Sequence, residues 1–117
     1  MSPRSDDDWA RDLVEAIDAI DAHRRNHRGL DDAMGPSATL LLVDAMTYRL
    51  MAIGEAAKNL SPDARAAHPE IPWRNIVGLR DHLAHHYHRR DPRIVMSTVD
   101  DGFLEPLRAA AQSMLRG

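Results

Sequence analysis

The sequence ATLLLVDAMTYRLMAIGEAAKNL, residues 38 to 60, determines how the rest of the chain is arranged. Ser37 is a suitable N-cap for a helix over this stretch, because its hydroxyl can accept a hydrogen bond from the first helical turn. Apolar residues cover more than one face of this helix; they are Leu40, Leu41, Val43, Met46, Leu50, Met51, Ile53, Ala57 and Leu60. A helix with so wide an apolar arc needs cover on two sides, so we expect burial in its own bundle and against a second subunit.

Two breaks separate this long helix from the next principal one. Residues 61–63, Ser-Pro-Asp, end the long helix, and Pro62 is well placed to begin a short helix through Ala67. Residues 68–72, His-Pro-Glu-Ile-Pro, form the second break. Trp73 then opens a third principal helix, whose inward-facing residues are Ile76, Val77, Leu79 and Leu83.

A fourth amphipathic helix begins at Asp91 and Pro92, a capping residue followed by proline at the first helical position. Its apolar residues are Ile94, Val95, Val99, Phe103, Leu107, Ala110, Ala111 and Met114. Gly102 and Pro106 interrupt this pattern, so we expect a kink or a short break between them.

The first principal helix lies at the other end of the chain. After residues 1–5, which we expect to fray, the acidic residues 6–8 suit the positive end of a helix dipole. From Trp9 onward one face is apolar, with Leu13, Ala16, Ile17 and Ile20 at helical spacing. The basic cluster of Arg24, Arg25, His27 and Arg28 suits the negative end of the dipole. Gly29 is therefore the predicted end of this helix, and residues 31–36 are a predicted loop.

These patterns predict an all-α fold, an up-and-down bundle of four principal helices plus a short extra helix. No stretch alternates with a period of two over the length of a strand. A chain of 117 residues suits one domain, residues 1–117, with a single core. The absence of cysteine excludes disulfides and thiolate chemistry. Without a leader or a long apolar run, we expect a cytoplasmic protein with no membrane partner.

Positive charge and histidine concentrate in one place. Residues 74–93 contain five arginines against two acidic residues, whereas the rest of the chain has 10 basic and 16 acidic residues. Four of the seven histidines also lie in this stretch. A local concentration of positive charge in an otherwise acidic chain fits a polyanionic partner such as RNA. Many sequences show charge fluctuations of this size, so charge alone does not distinguish a binding site from a chance fluctuation.

Within this stretch, Arg80, His85 and Tyr87 form the pattern Arg-x4-His-x-Tyr. A histidine can exchange a proton near neutral pH, and the planar guanidinium of an arginine matches two phosphate oxygens. However, residues five apart on a regular helix point about 140° apart. Arg80 and His85 therefore meet only if the helix breaks between them, if Arg80 reaches round, or if two subunits form a cleft. We expect the cleft.

The stretch resembles the R-x4-6-H signature of HEPN domains, and specifically the R-x4-H-x-Y form of HepT-like toxins. Residues 53–57, Ile-Gly-Glu-Ala-Ala, and residues 69–73, Pro-Glu-Ile-Pro-Trp, also match this family in order and spacing. The resemblance implies a homodimeric, metal-independent endoribonuclease without a cofactor, the toxin of a toxin–antitoxin pair. It also implies that an MNT-type minimal nucleotidyltransferase is the antitoxin and transfers adenylate from ATP to Tyr87.

Several further residues are candidates for the site. Glu55 is favoured as a buried partner that orients Arg80, rather than a polar position on the long helix. Supporting or RNA-binding roles are predicted for Arg74, His82, His86, Arg89 and Arg90. The alternatives are solvated surface positions or, for the spacing of His82 and His86, a metal site, which we do not expect. Tyr48 and Trp73 are predicted to be core anchors.

Two other functions remain open from the sequence. The first is a non-catalytic HEPN module that binds RNA, nucleotide or a partner protein. The second is a structural helical adaptor in which the histidines have no role. A neighbouring nucleotidyltransferase gene would favour the toxin over the adaptor, and loss of growth inhibition in a His85→Ala variant would favour it over the binding module.

Overall fold

The computed structural model describes residues 3–34, 36–86 and 92–117, and within them all side chains except those of residues 27–38 and 86. This part of the chain contains no strand and forms seven α-helices, which confirms the all-α prediction. The helices are α1 Asp6–Met34, α2 Pro36–Asn59, α3 Pro62–Ala66, α4 Trp73–Val77, α5 Leu79–His86, α6 Pro92–Val99 and α7 Leu104–Arg116. None of the helices in these ranges is both long enough and apolar enough to span a lipid bilayer.

Helix α2 is the centre of the fold, as its wide apolar arc predicts. It packs against α1, α4, α5 and α6, and α1 also packs against α7. The largest fully buried side chains of the core are Leu13, Ile17, Ile20, Met46, Leu50, Ile53, Ile76 and Leu107. Helices α1 and α2 are antiparallel, because Asp6 at the start of α1 accepts hydrogen bonds from Ser61 N (2.8 Å) and Ser61 Oγ (2.7 Å), just after α2 ends.

The start of α1 is capped by side chains. Ser5 N donates to Asp8 Oδ2 at 2.9 Å, and Asp8 N donates to Ser5 Oγ at 3.2 Å. This reciprocal pair satisfies two backbone N–H groups that have no carbonyl partner within the helix. The hydrogen bond from the Ser5 backbone lowers the pKa of Asp8. Arg4 lies over the ring of Trp9, 4.1 Å from its centroid, and pairs with Asp12 at 2.8 Å. Arg4 and Ser5, which the sequence analysis expects to fray, therefore make defined contacts.

The junction between α1 and α2 differs from the prediction. Helix α1 continues past Gly29 to Met34, so the loop predicted over residues 31–36 is wrong for residues 31–34, while residue 35 lies outside the described part of the chain. Helix α2 begins at Pro36, which places Ser37 inside the helix instead of at its N-cap. The basic residues near position 24 lie within α1, not at its end, and Arg24 pairs with Asp100 at 2.8 Å.

Two glycines divide the last two predicted helices. Gly78 separates α4 from α5, so the helix that carries the motif is two shorter helices. Gly102 has a φ of 88°, a conformation that glycine adopts without strain, and it lies in the break between α6 and α7. This confirms the interruption predicted there, whereas Pro106 lies in the first turn of α7. The predicted short helix is also present as α3, with Ser61 accepting from Ala64 N at 3.1 Å.

Helix α7 is fastened to α1 by Arg108. Its guanidinium contacts Asp21 and Glu105 and lies 3.0 Å from Asp18. The hydrogen bond to Asp21 is the largest cause of a raised pKa of Arg108, and Glu105 contributes to it. The arginine side chain is only 18% exposed, so this cluster is less screened than a surface ion pair. It fixes the register of α7 along α1.

Candidate functional site

Helix α5 presents most of the motif to solvent. Leu79 and Leu83 are buried and face the core, which fixes the rotation of the helix about its axis. Arg80, His82 and His85 are consequently exposed. Arg80 and His85 therefore lie on the surface of the protomer, where a large polyanion can reach them.

Arg80 is held by a carboxylate from α2. Its Nη1 donates to Glu55 Oε2 at 3.1 Å. Asn59 Nδ2 donates to Glu55 Oε1 at 3.3 Å and to the Glu55 carbonyl at 2.8 Å, which steadies the carboxylate. The side chains of Arg80 and Glu55 are 59% and 43% exposed. The contact that the sequence analysis favours is therefore present, but the expected burial of Glu55 is wrong.

Gly54 brings α5 close enough to α2 for this contact. A Cβ at position 54 would lie 3.1 Å from the backbone N of Arg80, 3.2 Å from the carbonyl O of Ile76 and 3.3 Å from Cβ of Leu79. Two of these atoms belong to backbone, so they cannot move by a change of rotamer. The helix pair needs a residue without a side chain at this position, directly before Glu55.

Replacing Gly54 with alanine is expected to lower the free energy of unfolding by up to about 2 kcal/mol, because crowding against packed neighbours costs roughly 1–3 kcal/mol. This crowding outweighs the gain of about 1 kcal/mol that alanine has over glycine inside a helix. Urea unfolding followed by circular dichroism measures the change.

Gly78→Ala is the matched control, since a Cβ at position 78 would meet only atoms at 3.5 Å and 3.6 Å, an ordinary van der Waals distance. Its free energy of unfolding should stay the same or rise. A Gly54→Ala variant as stable as the Gly78→Ala variant would show that α5 is not closely fitted to α2.

Arg80 and His85 do not share a face of the protomer. Helix α5 is continuous from Leu79 to His86, so no break lies between them, and the break at Gly78 comes before both. The two side chains leave this helix about 140° apart. Arg80 points toward α2, where Glu55 binds it, so the two groups are not brought together within the described part of the protomer.

His82 and Arg74 line a cleft on the other side of α5, between residues 72–82 and residues 97–103. Asn75, Asp101 and Phe103 also line it, and none of these three is among the site residues predicted from the sequence. The only sequence signal near them is Gly102, which marks the turn that carries Asp101 and Phe103.

The remaining predicted site residues lie outside the described part of the chain. These are Tyr87, Arg89, Arg90 and the side chain of His86. Among the residues that the structure describes, no group of three or more His, Cys, Asp or Glu side chains is arranged to hold a metal ion. Because the side chain of His86 lies outside the described part of the chain, the expectation that His82 and His86 do not form a metal site stays a prediction.

Helix α2 carries three large, exposed apolar side chains on the side opposite the core. Leu40, Leu41 and Tyr48 are 49%, 52% and 66% exposed, so the prediction that Tyr48 is a core anchor is wrong. With a rotation of about 100° per residue, these three and Glu55 lie on one side of the helix. Trp73 does pack against the core, as predicted, and its Nε1 donates to the His68 carbonyl at 2.9 Å.

Comparison with known proteins assigns the chain to a family. The family model described as "Ribonuclease HepT-like" matches residues 13–114. The chain is 36% identical over 98 residues to the "Probable ribonuclease HepT" of Thermococcus cleftensis, an alignment that covers 84% of this chain and 86% of that protein.

Two shorter alignments agree with this match. The "Putative RNase TTE0752" of Caldanaerobacter subterraneus is 41% identical over 59 residues, which covers 50% of this chain and 53% of that protein. The "Putative RNase MJ0127" of Methanocaldococcus jannaschii is 40% identical over 55 residues, which covers 47% of this chain and 46% of that protein. No solved structure matches the chain. Because the family model spans most of the sequence, the chain belongs to the family of HepT-like ribonucleases.

Proposed function

We propose that the protein is an endoribonuclease that cleaves RNA by attack of a ribose 2′-hydroxyl on the adjacent phosphate. The observation that carries this proposal is the exposed Arg80, which lies on the same short helix as His85 in a chain of this family. Its guanidinium is held by Glu55 of α2 at 3.1 Å. Relatives named as ribonucleases support the same reaction. The substrate is an RNA strand, and the reaction uses neither a cofactor nor a metal ion.

In this mechanism Arg80 binds the scissile phosphate. An exposed arginine–carboxylate pair contributes only about 0–1 kcal/mol, so a phosphate with two accepting oxygens can displace Glu55 from Arg80. Until then, Glu55 keeps the guanidinium extended in one direction. Arg80 then stabilises the additional negative charge on the phosphorane, which is the largest electrostatic demand of the reaction.

His85 moves protons in the same mechanism. The 2′-oxygen attacks phosphorus while its proton passes to an imidazole, and the bond from phosphorus to the 5′-oxygen breaks as that oxygen receives a proton. The products are a 2′,3′-cyclic phosphate and a free 5′-hydroxyl. Two histidines in one cleft, one from each subunit, can supply the base and the acid.

A homodimer brings these groups together. The exposed face of α2 carries the apolar side chains of Leu40, Leu41 and Tyr48 around the carboxylate of Asp44, and it ends beside Glu55 and Arg80. A twofold axis passing over this face would bury it against the same face of the partner, as in most closed dimers. The two copies of α5 would then border a shared cleft.

The protein acts as the toxin of a toxin–antitoxin pair on cytoplasmic RNA. Its antitoxin is a cognate MNT-type nucleotidyltransferase, which transfers adenylate from ATP to Tyr87. Tyr87 follows His85 by two residues. A bulky anionic adenylate on Tyr87 would therefore both fill the cleft between the two subunits and repel the phosphates of RNA.

The test is growth of a bacterial host after induction of the chain, beside the Arg80→Ala, His85→Ala and Tyr87→Phe variants, with total RNA examined from each culture. We expect the parent chain to stop growth and degrade RNA, and the Arg80 and His85 variants to do neither. Co-expression of the nucleotidyltransferase should rescue growth with the parent chain, which mass spectrometry should show to be heavier by whole adenylate units at Tyr87.

The Tyr87→Phe variant separates the two parts of the proposal. It should stay toxic when the antitoxin is present, because it lacks the hydroxyl that accepts adenylate. If all four forms are soluble and grow alike with intact RNA, the protein is a non-catalytic binding module. If the Tyr87→Phe variant is rescued as fully as the parent chain, inhibition does not depend on this tyrosine.

A further inference from the structure

The cleft between residues 72–82 and residues 97–103 has a volume of about 530 Å³. This lies within the range of about 300–1,000 Å³ typical of small-molecule sites. Its floor is apolar, since Ile76 and Leu79 are buried, and the half-buried ring of Phe103 forms part of its wall. The left-handed turn at Gly102 allows Asp101 and Phe103 to face the cleft together.

The polar groups of the cleft match the parts of a nucleotide. Arg74 supplies a permanent cation for a phosphate, and Phe103 offers a ring beside which a base can lie. Asn75 carries both a donor and acceptors, and Asp101 carries a carboxylate. The hydroxyl of Thr98 is already used, because it donates to the Ile94 carbonyl at 2.7 Å.

The cleft adjoins the proposed catalytic histidine. His82, on its rim, precedes His85 by three residues on α5. Residues at this spacing are neighbours on a helix surface, with Cβ atoms about 5–6 Å apart. An RNA strand whose scissile phosphate lies beside His85 would therefore place a neighbouring nucleotide at the mouth of the cleft.

We propose that this cleft binds one nucleotide of the RNA substrate next to the scissile phosphate, and that it prefers a base with an exocyclic amino group. This inference rests on the proposed ribonuclease function and gives that function a base preference. An ionised carboxylate only accepts hydrogen bonds, so Asp101 favours the amino groups of adenine, cytosine or guanine over the carbonyl oxygens of uracil. Asn75 supplies the second hydrogen bond to the base edge.

The first test uses mononucleotides, which have no bond for the enzyme to cleave. The full chain is titrated with AMP, CMP, GMP, UMP and ribose 5-phosphate, with binding followed by amide shifts in NMR spectra. We expect AMP, CMP and GMP to bind about three- to tenfold more tightly than UMP, the effect of about one hydrogen bond. Ribose 5-phosphate has no base for Asn75 and Phe103 to contact, so it should bind more weakly than UMP. The largest shifts should lie at residues 74–82 and 100–103.

Variants of the cleft assign this preference to residues. Asp101→Asn should remove the preference over UMP, because an amide can also donate to a carbonyl oxygen. Asn75→Ala should weaken binding of all four nucleotides about threefold or more. Arg116→Gln, which removes an exposed arginine at the far end of α7, is the control and should bind as the parent chain does.

A second arm distinguishes RNA from free nucleotides. Hexamers of 2′-O-methyl adenosine and 2′-O-methyl uridine lack the attacking hydroxyl, so they report binding alone. Asp101→Asn should reduce the preference for the adenosine hexamer as it does for AMP. If it changes only mononucleotide binding, the cleft takes free nucleotides and the RNA subsite is wrong. If all ligands bind like ribose 5-phosphate, or shift residues elsewhere, the whole inference is wrong.

These results are separable from the ribonuclease proposal. Base-dependent binding in the cleft by a chain that leaves RNA intact would keep the cleft as a nucleotide site and overturn the ribonuclease function. RNA cleavage with no effect of Asn75→Ala or Asp101→Asn on binding or on the cleaved sequence would keep the ribonuclease and overturn the cleft.

Discussion

Replacing Arg80 or His85 with alanine is expected to slow cleavage of RNA by about 10²–10⁴-fold, the usual loss when a general acid–base or a charge-stabilising group is removed. Arg80 would no longer bind the phosphate, and His85 would no longer move a proton. Cleavage of a fluorophore–quencher RNA by the purified chain, with EDTA present throughout, measures the rate constants. Activity that survives EDTA supports the metal-independent mechanism.

Neither substitution should unfold the protein, because both side chains are exposed and point away from the core. Exposed substitutions usually change stability by less than about 0.5 kcal/mol. Arg116→Ala is the matched control for the loss of one exposed arginine and should cleave as fast as the parent chain. If the folded His85→Ala variant kept full activity, His85 would have no role in the mechanism. Full activity of the folded Arg80→Ala variant would exclude Arg80 in the same way.

Glu55→Gln distinguishes catalysis from positioning. Glu55 touches Arg80 and is not assigned a contact with RNA, so its loss should lower the rate much less than the loss of Arg80 itself. The side chain of glutamine can still accept a hydrogen bond from Arg80, whereas Glu55→Ala cannot. The alanine variant should therefore be the slower of the two if Glu55 positions the guanidinium.

Regular apolar spacing made most of the helices predictable from the sequence, but not their ends. Gly29 and Gly35-Pro36 are typical of a helix end and a loop, yet α1 continues to Met34. A single glycine costs a helix only about 1 kcal/mol, which continued backbone hydrogen bonding can offset. The break at Gly78 is not predicted by the sequence, because apolar residues continue at helical spacing on both sides of this glycine.

The candidate site was predictable only in part. The spacing of Arg80 and His85 identifies the groups, and the order of residues in α2 places Glu55 after Gly54, where the close approach of α5 makes their contact possible. Periodicity does not say which part of a wide apolar arc faces the core, so Tyr48 was misplaced. The cleft between residues 72–82 and residues 97–103 is formed by segments about 20 residues apart in sequence, so no local sequence pattern predicts it.

Leu41→Asp is expected to convert a dimer into a monomer and to abolish RNA cleavage. Leu41 is 52% exposed in the protomer, so aspartate there should not disturb the fold. In a symmetric dimer the substitution introduces two carboxylates into one apolar interface, which weakens association by at least about a hundredfold. Light scattering after size exclusion should give a mass of about 13.1 kDa for the variant and twice that for the parent chain.

Gln112→Asp is the control for Leu41→Asp, because it places the same charge on the exposed surface of α7. It should remain dimeric and active. If the parent chain is already a monomer that cleaves RNA, or if the Leu41→Asp variant stays dimeric, the interface on α2 is wrong.

Mixing two inactive variants shows how the subunits share the site. If Arg80 of one subunit acts with His85 of its partner, a heterodimer of Arg80→Ala and His85→Ala chains has one complete site, because each chain supplies the group that the other lacks. Mixed and re-annealed chains should then regain a measurable fraction of the parent rate. The mixture stays inactive if each site needs Arg80 and His85 from the same chain. It also stays inactive if each site needs both arginines and both histidines of the dimer. Regained activity that Leu41→Asp in either chain removes would establish that the interface on α2 assembles the site.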